Sequence, residues 1–169
     1  MPLTMYDASV PVLIRGLTNL DAVLTKGEEF ASAQGLDPAE LVGARLFPDM
    51  HPLSGQIQSA SDTAKFCPAR LTGTQGPSFA DTETTFAELH TRIANTLDYL
   101  KTFEPAQFEG SETREVILKT RRGERHFEGQ AYLLSFALPN FFFHVTTAYD
   151  ILRQRGVPIG KMDYIGPLS

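Results

Sequence analysis

The stretch that most constrains this chain is residues 139–156, PNFFFHVTTAYDILRQRG. It opens on a proline, which the first position of a helix accepts because the N–H it lacks has no intrahelical partner there. It closes on Gly156, the residue expected just past a helix C-terminus, and Pro158 then blocks continuation. Between these ends Leu138, Phe141, Val145, Ala148 and Leu152 recur at alternating steps of three and four, the period of a buried helical stripe. A stripe of that length needs partners of similar length. Asn140 and His144 lie one turn apart on a face beside it. An imidazole among Phe141, Phe142, Phe143 and Val145 must find a hydrogen bond or a ligand, because burying it unpaired is costly.

The partners are legible upstream. Residues 5–33 carry Val10, Leu13, Leu17, Leu20 and Leu24, a seam suited to a left-handed bundle, with Pro11 near the start and Gly35 as a stop. Asp37 and Pro38 then predict an N-cap and first position for a short helix through Val42, followed by a proline-rich loop over 45–52. A second long helix begins at His51 or Ser54 and turns Leu53, Ile57, Ala60 and Ala64 inward. Gln58, Asp62 and Lys65 form a polar strip along it, and Pro68 is expected to kink it or end its regular part. Asp81 is the expected N-cap of a third helix running to Phe103, with Phe86, Leu89, Ile93, Leu97 and Leu100 inside. The period changes over 114–128, which predicts a β-hairpin turning at Arg122 and Gly123. An apolar run over 132–138 leads into the last helix, and the Gly/Pro-rich tail 160–169 is expected along the surface. The fold class is all-α: a four-helix bundle with a small hairpin between helices three and four, as one domain spanning 1–169.

Composition narrows the function classes. A net charge of −5 argues against nucleic acid, since phosphate binding needs concentrated Lys and Arg. The one basic cluster, Lys119, Arg121, Arg122 and Arg125, reads as a solvated turn. No segment approaches the roughly 18 apolar residues of a membrane span. A secretory leader pattern is absent, and lone Cys67 excludes an internal disulfide, so the expected location is cytoplasmic. His90 and His126 read as outward-facing, and Cys67 as a small buried filler.

The candidate chemistry centres on Asp62 and His144. If both face the interior, the carboxylate orients one imidazole nitrogen and leaves the other toward a pocket, an acid/base or single-ligand arrangement. The alternative is a buried imidazole satisfied across the bundle, with Asp62 bonded to Lys65. Tyr6, Gln58, Asn140 and Tyr149 are the further candidates for a ligand-binding lining. Phosphate-loop, HExxH, CxxC and GxSxG patterns are absent.

The segments MYDASVPV (5–12), ARLFPDMHPL (44–53), the Gln56/Gln58/Asp62/Lys65 strip, YLLSFALPNFFFHVTTAYDILRQRGVPIGK (132–161) and the closing Asp163-Tyr164-Ile165-Gly166 together resemble a bacterial family, domain of unknown function nineteen-ninety-three. That family is similar to the DinB/YfiT-like superfamily of four-helix candidate metalloenzymes, whose relatives include metal-dependent transferases acting on low-molecular-weight thiols. The resemblance implies a pocket at one end of the bundle, and a homodimer. It also implies a metal site of three histidines, one on the second helix and two on the fourth. His144 matches the later of the fourth-helix pair, its companion position is Asn140, and the second helix offers Gln58 and Asp62, with His51 at its mouth. Three readings follow: a small-molecule pocket between helices two and four; a zinc, nickel or iron enzyme of thiol S-transferase or hydrolase type, with His144, Asp62 and His51 as ligands; or a structural dimer without a ligand.

Overall fold

In the computed structural model, which describes residues 3–120 and 123–168, four long helices pack in a ring around the apolar stripes. α1 (Val10–Gln34) contacts α4 (Phe86–Leu100) and α6 (Leu138–Gln154), and α3 (Leu53–Thr72) contacts the same two from the opposite side. The α3–α6 contact is the most extensive between helices. Val10, Leu13, Leu17, Leu20 and Leu24 are all buried, as are Leu53, Ile57, Ala60 and Ala64, and so are Phe141, Val145, Ala148 and Leu152. α1 meets α6 closely because Gly16 has no side chain: a Cβ there would stand 2.5 Å from the Phe141 ring. That distance is well inside van der Waals contact.

Several boundaries differ from expectation for physical reasons. α1 starts at Val10 rather than residue 5, because Pro11 suits only a first turn. Gly35 ends it in the left-handed conformation at φ 63°. Asp37 caps α2 (Pro38–Val42) as predicted, accepting from the Ala39 N–H at 2.9 Å. α3 runs past Pro68 to Thr72 rather than ending there, and the Thr72 hydroxyl donates to the Pro68 carbonyl. Thr85, not Asp81, caps α4: its hydroxyl accepts from the Glu88 N–H while the Glu88 carboxylate accepts from the Thr85 N–H. Asp81 instead pairs with Arg92.

Between α4 and the last long helix lie a 3-10 turn (Pro105–Phe108) and an antiparallel hairpin, β1 (Glu115–Thr120) with β2 (Gly123–Glu128). Glu115 faces Glu128 and Thr120 faces Gly123, so Val116 and Leu118 turn inward. Of the expected turn, Gly123 opens β2 and Arg122 lies outside the described residues, as does Arg121.

The last helix is the largest departure. It begins ten residues before Pro139, as α5 (Gly129–Tyr132), and passes through a π-helical turn (Leu133–Ala137) directly into α6. A proline inside a helix lacks its N–H, and its ring collides with the carbonyl four residues back, here that of Ser135. The wide turn immediately ahead, in which the Leu138 N–H reaches the Leu133 carbonyl, makes room for the ring. Pro139 thus marks a widened turn and not a helix start. The tail after Gly156 forms a short helix, α7 (Lys161–Ile165), laid against α1.

Candidate functional site

Antiparallel packing of α3 on α6 sets two polar pairs side by side. The His144 Nδ1 lies 2.8 Å from the Gln56 Oε1, and the Asn140 amide donates to the Thr63 hydroxyl at 2.7 Å. Thr63 passes its own proton to the Ser59 carbonyl at 2.8 Å. Gln56 is fully buried and its amide is fixed at both ends, because its Nε2 donates to the His51 carbonyl at 3.2 Å. With the amide so oriented its oxygen faces His144, and an amide oxygen only accepts, so the imidazole proton sits on Nδ1. The Nε2 lone pair is left without a partner among the described residues. Burial, reinforced by nearby His51, holds the His144 pKa below its ordinary value, which keeps the ring neutral near pH 7. His144, Asn140 and Ser59 are half-buried and His51 is exposed, so this seam opens to solvent.

The expected Asp62–His144 pair is not what the structure contains. Asp62 points toward α4, where its Oδ1 accepts from Arg92 at 2.8 Å and from Lys65 at 2.6 Å. Gln58 turns the same way and donates to Glu83 at 2.9 Å. The polar strip therefore faces α4 rather than the site. The two cations at this contact, Lys65 of the strip and Arg92 of α4, are buried, each with its side chain 1% exposed. Arg92 binds Glu83 at 2.9 Å, Asp81 at 3.0 Å and the Ala80 carbonyl at 3.0 Å, and the Lys65 ammonium sits 4.3 Å from the centre of the Phe79 ring. Burial would push the Glu83 carboxyl up, but hydrogen bonds from Arg92 and Gln58 outweigh it and leave the pKa lowered.

The remaining candidates scatter. Tyr6 packs edge-on against Phe108, and Tyr149 edge-on against Tyr164. His90 is not the outward residue expected: its Nδ1 meets Asp21 at 2.6 Å, joining α4 to α1. His126 does face out, its Nδ1 2.9 Å from Glu115, diagonally across the hairpin. Cys67 is wholly buried and its thiol is pushed up to about 12, so it is inert as a nucleophile. Of the expected site residues the structure brings together His144, Asn140 and His51; Thr63 and Arg92 are not among the candidates, and Gln56 is read from the sequence only as part of the polar strip. The α3–α6 contact is a polar seam open to solvent at His144 and Asn140. Surface grooves of about 480, 500 and 470 Å³ are lined by other residues, from α4, the tail and the end of α1.

The donor set does not fit a transition-metal centre. Two imidazoles, His144 and nearby His51, stand beside amides and a hydroxyl, which bind such metals weakly, and the third expected ligand, Asp62, is committed to Arg92 and Lys65. Among the described residues no group of three or more His, Cys, Asp or Glu side chains is placed to hold a metal ion.

The model of a domain of unknown function, DUF1993, matches residues 5–165. The chain belongs to the DUF1993 family. Its fold is similar to the crystal structure of a DinB family member protein from Shewanella denitrificans, with a TM-score of 0.91 at 41% identity. That match covers 97% of this chain and 93% of the other, so the DUF1993 fold here is DinB-like throughout. No curated protein matches the chain. No helix among the described residues of this DUF1993 chain is long and apolar enough to cross a membrane.

Proposed function

We propose that this DUF1993 chain is a DinB-type four-helix bundle that binds a small, hydrogen-bond-donating molecule at the α3–α6 seam, with His144 Nε2 as the principal acceptor. The observation that carries this reading is the Gln56 amide, locked between the His51 carbonyl and His144 Nδ1. A buried amide spent on fixing one tautomer of a half-exposed imidazole leaves a directed lone pair at the surface. The Asn140 oxygen, with its nitrogen committed to Thr63, adds a second acceptor one turn away. Two acceptors and no nearby free carboxylate favour a donor such as a thiol, an amine or an alcohol over an anion. A neutral imidazole at neutral pH can also take the proton of such a donor, the step general-base chemistry requires.

Titration of the protein with β-mercaptoethanol, ethanolamine and ethylene glycol, followed by the His144 ring resonances, tests the reading. Saturable shifts at His144 that vanish in Asn140→Leu are expected for at least one of the three. Identical, linear responses in wild type and variant would contradict it.

A further inference from the structure

The C-terminal tail is held to α1 by contacts of an unusual kind. Arg15 donates to the carbonyls of Ile165 and Pro167, at 3.0 and 2.9 Å, and Asn19 donates to those of Tyr164 and Ile165, at 3.1 and 2.8 Å. Lys26 binds Asp163 at 2.6 Å, and the Tyr164 hydroxyl meets Thr146 at 2.9 Å. Gly166 has φ 74°, and a Cβ there would lie 2.2 Å from the Asn19 side chain, so only glycine lets the strap come this close. The backbone of the strap is thus fastened at its polar edge.

Beneath it is a half-enclosed cavity of about 170 Å³, lined by Val12, Gly16, Phe142, Val145, Tyr164 and Ile165. A narrower space that shares Val145 and Tyr164 with it, lined also by Leu20, Val23 and Tyr149, is too small for a water molecule. The two polar side chains at its rim, Arg15 and Asn19, direct their bonded nitrogens at the strap's carbonyls. The lining is otherwise apolar, and an apolar space of about 150 Å³ is enough to take up benzene or xenon. We infer that this cavity is a second binding site, separate from His144, for one small apolar group: a single aromatic ring or a short branched alkyl chain. The C-terminal strap is its door, since Tyr164 and Ile165 form one wall and are the wall segment not built into a long helix.

Benzene and xenon are the probes, with full-length protein and methyl resonances of Val12, Val145 and Ile165 as the readout. The inference expects saturable shifts at all three residues and a raised melting temperature with benzene. Val145→Phe, whose ring fills the space, loses both responses while keeping the His144 titration. Val12→Phe, at a half-buried position where folding is less at risk, does the same. Absence of a saturable shift up to the aqueous solubility of benzene, or equal responses in wild type and both filled variants, would overturn it.

Discussion

Arg92 shows how far one side chain can reach. It joins α4 to Asp62 on α3 and to Asp81 and Glu83 in the segment before α4, with its guanidinium 1% exposed. Removing the cation of a buried charged pair leaves its partner, here Glu83 at 11% exposed, desolvated and unpaired at a cost of about 3 kcal/mol, while Asp62 and Asp81 stay partly in water. Arg92→Ala is therefore expected to lower stability by about that amount in urea melts, while leaving the His144 resonances in place. A change within about 0.5 kcal/mol would mean that the network is solvated. Neither Arg92 nor Gln56 was legible in the sequence as a structural partner. The face shared by Asn140 and His144 was, because residues four apart on a helix must share one. Their partner on α3 was not, because α3 buries small residues on two sides, against α4 and α6, and periodicity cannot say which side meets which helix. Gln58 and Asp62 lie on the side that meets α4, and Gln56 and Thr63 on the side that meets α6. Arg92 was hidden because its acidic partners lie on other elements and in a loop.

At the scale of elements, caps and stripes read well. Gly35 and Asp37 carried their boundaries, and the hairpin followed from the change of period. Pro139 did not, because a proline after an apolar run signals a helix start unless a π turn precedes it. The bulge explanation makes a specific demand. A π turn is one residue more than an α-helix needs. Deleting exposed Ser135 together with Pro139→Ala should thus restore regular helix while keeping Tyr132 and Phe141 facing the core. The double change is expected to melt close to wild type. Deleting Ser135 alone sets the proline ring against a carbonyl and should cost about 3 kcal/mol. Equal melting temperatures for the two variants would contradict this account of the π turn.

The whole molecule should lose stability on acidification, in two steps. His144 is held below its ordinary 6.5 by burial first and His51 second, so the unfolded chain binds the proton more readily. Stability contributed by the neutral ring is present above pH 6.5 and falls as pH drops toward the lower folded value. Glu83 is held below its ordinary 4.5, since the Arg92 and Gln58 bonds outweigh its burial, and its contribution is lost as pH falls below 4.5. Urea midpoints against pH should show both steps, with the upper one missing in His144→Phe and the lower one reduced in Glu83→Gln. A midpoint that rises between pH 7 and 5 would reverse the sign required here. The ring of four helices was legible from the stripes, since their lengths and spacing leave few other ways to bury them. The DinB-like fold agrees with a mostly helical chain, and the DUF1993 membership with the resemblance carried by the motifs.

The central claim is an imidazole whose proton is fixed on Nδ1 by Gln56 and whose Nε2 is open. Long-range ¹⁵N–¹H correlation of the His144 ring across a pH titration tests it most directly. The predicted result is a neutral Nδ1–H form at pH 7 that titrates below 6.5 and shifts toward a tautomer mixture in Gln56→Leu. A neutral Nε2–H form, or a midpoint above 6.5, would contradict it.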